Sequence, residues 1–272
     1  MRDAAAAWGA EVSAGAGGAL PNVLVIGAMK AGTSALHRYL DAHPDAAMSH
    51  PKELGFFFDV VSPGDGLVPP PTRDEHRHGW SLGGNWFRGL DWYRQHFAPD
   101  ARVRGETSPG YTSPDHPEVA ARIAATLGTD LTLVMLVRDP VARALSQYAH
   151  HRRDGHESRP VEVAVLDPAS QYLARSRYAE RLDPFLTHFP RERIEVVVQE
   201  ELRAARRCTL QRLYAALGLD PDHWDAELDR EWHVGDDVPD PGRGVRDALC
   251  ERLRDDVDRL RAFLDRDLPW SC

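Results

Sequence analysis

The sequence predicts an α/β protein, a three-layer arrangement with a central parallel sheet flanked by helices. Three observations carry this. Asn22–Gly27 (NVLVIG), Leu131–Val137 (LTLVMLV) and Arg193–Val198 are unbroken apolar runs rich in β-branched residues, the pattern of strands buried on both faces of a parallel sheet. The first two run straight into a short turn and then a helical pattern. Strand and helix keep alternating, which favours connecting helices over hairpins.

The elements follow in order. Thr33–Leu40 places Ala35, Leu36, Tyr39 and Leu40 at helical spacing, and His43-Pro44 stops the helix. Arg102–Glu106 reads as a shorter strand, and Glu118–Leu127 as a helix. After Leu131–Val137, Arg138-Asp139-Pro140 opens a helix running to about Arg152, with proline at its start. Helical patterns recur at Arg177–Phe189 and Leu210–Leu217, and Val245, Leu249, Leu253, Val257, Leu260 and Leu264 form a last apolar stripe. Ser62–Gly89 and the acidic, Gly/Pro-rich Asp225–Gly244 break the alternation and read as long loops, functional or disordered, that are expected to border an acceptor cleft. No internal repeat or clean linker is evident, so residues 21–272 are expected to form one domain behind a flexible segment, residues 1–20.

Composition narrows the function. The 272 residues are 42% hydrophobic and 28% charged, which excludes a disordered chain, and a net charge of -9 argues against a nucleic-acid partner. The Ala/Gly-rich start lacks the apolar core of a signal peptide, and no run approaches the roughly 18 apolar residues of a membrane span. Cys208, Cys250 and Cys272 form no CxxC pair, so the thiols read as inert or at the surface, in a reducing, cytoplasmic setting.

Two strand ends carry chemistry. Gly27-Ala28-Met29-Lys30-Ala31-Gly32-Thr33-Ser34 joins the first strand to its helix: small residues admit an anion to backbone N–H groups, the helix N-terminus adds its dipole, and Lys30 adds charge. A bland reading also exists, in which Gly32 eases a turn, Thr33 caps the helix and Lys30 is solvated. Lys30 precedes Gly32, unlike the GxxxxGK[ST] order of nucleoside triphosphatases. At the second strand end, Arg138 and Ser146 suit one phosphate, the arginine by a charged fork and the serine by its hydroxyl. Two anion sites at two strand tips suggest a doubly phosphorylated nucleotide.

GAMKAGTSAL, HPKELGFFF, DWYRQHF, GETSPGYT, VRDPVARALSQY, RYAERL, FPRERIEVVVQEEL and the late PGRG occur in an order that resembles sulfotransferases using 3'-phosphoadenosine 5'-phosphosulfate (PAPS), in particular the heparan-sulfate-type N- and 3-O-sulfotransferase branch and its bacterial relatives. The resemblance covers most of the chain. It implies a P-loop-like fold in which Lys30, Ala31, Gly32, Thr33 and Ser34 hold the 5'-phosphosulfate and Arg138 and Ser146 hold the 3'-phosphate. It places Tyr178 near the nucleotide and Gly242 and Arg243 on a loop closing over its phosphates. It also implies a sulfuryl transfer to a small-molecule, lipid or glycan acceptor, releasing adenosine 3',5'-bisphosphate without an obligatory metal. Departures are Pro241 where the family has lysine, Thr107 and Gly55 where the 3-O-sulfating enzymes have lysine and histidine, and the lack of the paired cysteines of Golgi members.

Within that chemistry Lys30 suits the departing phosphate, and Glu53 is the expected general base, with burial raising its pKa. His150 lies four residues beyond Ser146, on one helix face, and matches a catalytic histidine of the N-sulfating members, a second acid/base candidate. Lys52 reads as a supporting charge or a solvated neighbour of Glu53. At least two of Phe56, Phe57 and Phe58 are expected in the core and the third at the acceptor cleft. Trp80, Trp86, Trp92 and Trp232 are candidate acceptor walls, with Trp92 and Tyr93 also suited to packing a helix on the sheet. His50, His76, His78 and His233 show no metal-ligand spacing. The competing readings are a kinase using adenosine triphosphate and magnesium, and a degenerate nucleotide-binding protein.

Overall fold

A computed structural model describes residues 18–58, 84–232, 238 and 240–272. The elements run β1 (Val23–Gly27), α1 (Thr33–Asp41), β2 (Ala46–Met48), α2 (Gly89–Arg94), β3 (Val103–Thr107), α3 (Val119–Leu127), β4 (Thr132–Val137), α4 (Pro140–Arg153), α5 (Val161–Leu166), α6 (Gln171–Ala174), α7 (Tyr178–Leu186), β5 (Ile194–Val198), α8 (Gln199–Ala204), α9 (Arg206–Ala216), α10 (Ala226–Asp229) and α11 (Arg243–Leu264). The strands form one sheet in the order β2-β3-β1-β4-β5, every pairing parallel. The expected α/β architecture is therefore the observed one.

All five residues of β1 are buried, and in β4 every residue after Thr132 is, as unbroken apolar runs require in central strands. The chain steps outward from β1 to β2, returns to β3, then crosses β1 to reach β4. Right-handed crossovers in opposite directions put α1 and α3 on opposite faces. The strand order reverses at β1, and a crevice at that reversal, beyond the carboxyl ends of the strands, is where open α/β sheets bind ligands. The tips of β3, β1 and β4 meet there, with Val25 in register with both Thr107 and Val134.

The edge strand β2 has three residues, too short for a periodic signal, and α5, α6 and α8 are also short. Asp225 caps α10 inside a segment expected to be loop, accepting from the N–H groups of Glu227 and Leu228. Residues 1–17, most of the Ser62–Gly89 segment, and His76, His78, Trp80 and His233 lie outside the described residues. The expectation of unpaired thiols is overturned: Cys250 on α11 is bonded to Cys272, their Cα atoms 5.0 Å apart, while Cys208 is free and exposed. The reason is tertiary. The chain turns back after α11, at Asp265 in the left-handed region (φ 52°), and lays its last residues along the helix. A disulfide is a mark of an oxidising setting, so the reducing environment inferred from spacing loses its support. No helix among the described residues is long and apolar enough to cross a membrane.

Candidate functional site

The first anion loop is shaped by its backbone. Gly32, with φ 98°, starts α1 and no side chain among the described residues caps that helix, so Thr33 does not play the capping part. The orphan N–H groups of the first turn thus lack a capping acceptor and suit an anion. Lys30 is held at φ 67°, an uncommon conformation for a residue with a Cβ, of the kind found where a ligand dictates geometry. Ala31 is buried and its N–H donates to the carbonyl of Ala28 at 3.1 Å, which closes the turn.

The second loop is fixed against the first. Asp139 caps α4 by accepting from the N–H of Ala142 at 2.8 Å, and its own N–H donates to Glu200 at 2.9 Å. The Arg138 guanidinium donates to the carbonyl of Lys30 at 3.5 Å, so the two strand tips share one crevice. Tyr178 is fully buried behind Arg138: its hydroxyl donates to the Arg138 carbonyl at 2.7 Å and accepts from the Arg138 N–H at 3.4 Å. Burial pushes this phenol far above its ordinary pKa, so it stays protonated.

Arg143, one turn from Ser146 on the buried face of α4, was visible in the motif but its task was not. It is fully buried and donates to the Ser176 hydroxyl at 2.7 Å, the Gln147 side-chain oxygen at 2.8 Å, and the carbonyls of Tyr172 at 2.7 Å and Met29 at 3.4 Å. Burial, the larger cause, lowers its pKa to about 10, which leaves it a cation at neutral pH. Its hydrogen-bond partners among the described residues are all neutral. The chain therefore keeps a positive charge directly beneath the anion loop, a field that favours bound phosphate.

Glu53 is brought to the same crevice by Lys52. The Lys52 ammonium lies 2.9 Å from the Ser34 hydroxyl, 3.5 Å from that of Thr33, and 2.8 Å from the Glu53 carboxylate. The expected burial of Glu53 is not observed: its side chain is 37% exposed. The carboxylate buried behind this segment is Glu106, at the end of β3, and the sequence offers no signal for it beyond its place in a motif. Glu106 accepts from the hydroxyls of Tyr93 at 2.9 Å, Tyr111 at 2.5 Å and Ser108 at 3.3 Å, and from the backbone of Leu54. Burial pushes its pKa up to about 7, against the opposing pull of those hydrogen bonds.

This cluster anchors the Glu53 segment. Gly55 N–H donates to Ser108 and Phe56 N–H to Tyr111, each at 3.0 Å, so three consecutive residues after Glu53 are tied to Glu106 or to its hydroxyl partners. His37, on the α1 face shared with Thr33, has its Nδ1 2.9 Å from the Thr107 hydroxyl. Burial, with Lys52 and Arg38 nearby, lowers its pKa to about 3 and keeps it neutral. Phe56 and Phe57 are core residues, as expected, whereas Phe58 is only half-buried, its ring centroid 4.3 Å from that of His116. Trp86 packs on Phe56 at 5.2 Å and carries the Arg122 guanidinium over its ring at 5.2 Å, while Trp232 sits between Arg38 and Arg230.

His150 is engaged at the far end of α4, by Arg153 and by Asp154 at 3.5 Å. Gly242 caps α11, and the Arg243 side chain is 94% exposed and faces Asp247 at 3.6 Å. A cavity of about 390 Å³ opens beyond α4, lined in part by His151, Glu157, Arg159 and Asp167. Its arginine is already neutralised by Glu157 at 2.8 Å and Asp167 at 3.0 Å, so it is poorly suited to an anion.

Comparison with known proteins agrees with this geometry. Residues 21–225 match the profile described as "Sulfotransferase family". Mouse heparan sulfate glucosamine 3-O-sulfotransferase 3A1 is 31% identical over 212 residues, 74% of this chain and 46% of that protein. The bifunctional heparan sulfate N-deacetylase/N-sulfotransferase 1 of Caenorhabditis briggsae is 27% identical over 217 residues, 74% of this chain and 23% of that protein. The chain thus spans less than half the length of these relatives. The crystal structure of a sulfotransferase from Alicyclobacillus acidocaldarius superposes with a TM-score of 0.69 at 29% identity, covering 92% of this chain and 98% of that one. With three quarters of its length matched and its strand tips arranged to receive anions, the chain belongs to the sulfotransferase family.

Proposed function

We propose that the chain transfers a sulfuryl group from PAPS to a hydroxyl or amine of a small-molecule, lipid or glycan acceptor, and that it belongs with the heparan-sulfate-type branch. The observation that carries this is the meeting of two cationic loops at the reversal of strand order, Arg138 touching the backbone of Lys30, with a carboxylate one lysine away. The donor set fits the nucleotide: uncapped helix N–H groups, hydroxyls and cations suit phosphate and sulfate oxygens. Lys30, Ala31, Gly32, Thr33 and Ser34 would hold the 5'-phosphosulfate. Arg138 and Ser146 would hold the 3'-phosphate. Tyr178 would act through Arg138, and Gly242 and Arg243 would make the closing contact.

The chain's part in the reaction is positioning and charge. A lone pair of the acceptor oxygen or nitrogen bonds to sulfur, the acceptor proton passes to Glu53, and the bond from sulfur to the 5'-phosphate oxygen breaks with its electron pair on the departing phosphate. Lys30 and the α1 N-terminus neutralise that charge. Partial exposure of Glu53 leaves it accessible to an acceptor that covers it on binding. His150, held at the other end of α4, is given no step.

Transfer of labelled sulfate from PAPS to a panel of hydroxyl and amine acceptors, with and without a chelator, tests this reading. Turnover that persists in chelator supports it; adenosine triphosphate turnover that needs magnesium would favour a kinase. Glu53→Gln is expected to lower turnover by about 10²–10⁴. Its affinity for adenosine 3',5'-bisphosphate in calorimetry should stay that of the parent chain. Near-native turnover in that variant removes Glu53 as the base.

A further inference from the structure

Lys52 has contacts on both sides of the point where the sulfuryl group must pass. Its ammonium lies 2.9 Å from Ser34 and 3.5 Å from Thr33 in the anion loop, and 2.8 Å from Glu53 on the acceptor side. Its backbone is anchored: the Lys52 carbonyl accepts from the N–H of Thr107 at 3.1 Å and from the Ser49 hydroxyl at 3.3 Å. The tip of β3 supplies no cation of its own, since Thr107 stands there with its hydroxyl against His37. Nor does His37 add positive charge, being buried and neutral. Lys52 is therefore the cation that joins the phosphosulfate cradle to Glu53.

We propose that Lys52 is a catalytic residue that grips the sulfuryl oxygens themselves, distinct from Lys30, which serves the departing phosphate. This rests on the sulfuryl-transfer reading above. An ammonium carries three N–H donors, so it can face Ser34, Glu53 and a sulfuryl oxygen from one position. As the acceptor atom bonds to sulfur and the bond from sulfur to the phosphate oxygen breaks, the acceptor proton goes to Glu53. Lys52 keeps its protons and balances the charge on the group in transit.

The proposal separates two nucleotides. PAPS carries the sulfuryl group; adenosine 3',5'-bisphosphate does not. In calorimetry without acceptor, Lys52→Gln is expected to weaken PAPS binding about 10- to 100-fold, the worth of a charge-assisted hydrogen bond. Bisphosphate affinity should stay within about twofold of the parent chain, because the lost contact is absent from that complex. Lys52→Arg, which keeps the charge, should recover part of the PAPS affinity and of the turnover. Equal weakening for both nucleotides would make Lys52 a phosphate contact and overturn the proposal, as would unchanged PAPS binding in Lys52→Gln. If Lys52→Gln does not fold, Lys52→Arg decides: PAPS binding weakened more than bisphosphate binding supports the proposal, and an equal change in both overturns it. A parent chain that binds neither nucleotide would instead defeat the sulfuryl-transfer reading.

Discussion

Glu106 shows how one buried residue can hold a neighbouring segment, here the one that follows Glu53, through its hydroxyl partners. Its carboxylate is buried among three hydroxyls, two of which also receive the N–H groups of Gly55 and Phe56. A carboxyl pushed up to about 7 is protonated in the folded chain where the unfolded chain has already released its proton. The native state binds more protons between the ordinary carboxylate range and about pH 7, so this group's stabilisation is greatest in acid and is lost as pH rises through that window. Between pH 5 and pH 8 the loss is roughly 2–3 kcal/mol. Glu106→Gln should flatten that slope. Denaturant midpoints of both chains at the two pH values measure it, and parallel slopes would refute the assignment. Sequence alone marked Glu53 as the acid that burial would tune. It could not show that burial falls instead on Glu106, because both sit in motifs and only the packing of Tyr93 and Tyr111 around β3 distinguishes them.

At the scale of elements, the site is held by what stands behind each loop. Strand and helix starts were legible: NVLVIG followed by a Gly-rich turn, and Arg138-Asp139-Pro140 after LTLVMLV, state both anion loops locally. Their supports were not, beyond the place near the nucleotide that the resemblance implies for Tyr178, since each comes from a distant part of the chain. Tyr178 clamps the Arg138 peptide from α7, and Arg143 braces the carbonyl of Met29 from α4. Glu200, at the start of α8, joins the N–H of Asp139 to the indole of Trp270. Tyr178→Phe keeps the ring but leaves the Arg138 carbonyl without its hydroxyl partner, a cost of about 1–3 kcal/mol. The expected outcome is a lower unfolding midpoint together with weaker binding of adenosine 3',5'-bisphosphate. Loss of stability with unchanged affinity would mean that the clamp supports the fold and not the phosphate contact.

Over the whole molecule, the sheet sets the site and the last residues brace it. The disulfide between Cys250 and Cys272 ties the terminal segment to α11, and Trp270 in that segment packs its ring 5.9 Å from that of Tyr178. Closing a loop of this length contributes about 3 kcal/mol, and reduction should lower stability by that amount in denaturant titrations run with and without reductant. Matching titrations would show that the bond contributes nothing. Cysteine spacing could not reveal this pairing, because the chain must first reverse at Asp265.

The central claim, two anion loops sharing one nucleotide, is tested most directly by a crystal structure with adenosine 3',5'-bisphosphate. The account predicts the 5'-phosphate on the N-terminus of α1 beside Lys30, Thr33 and Ser34, and the 3'-phosphate on Arg138 and Ser146. A nucleotide bound in the cavity near His151, or with both phosphates on one loop, would contradict it.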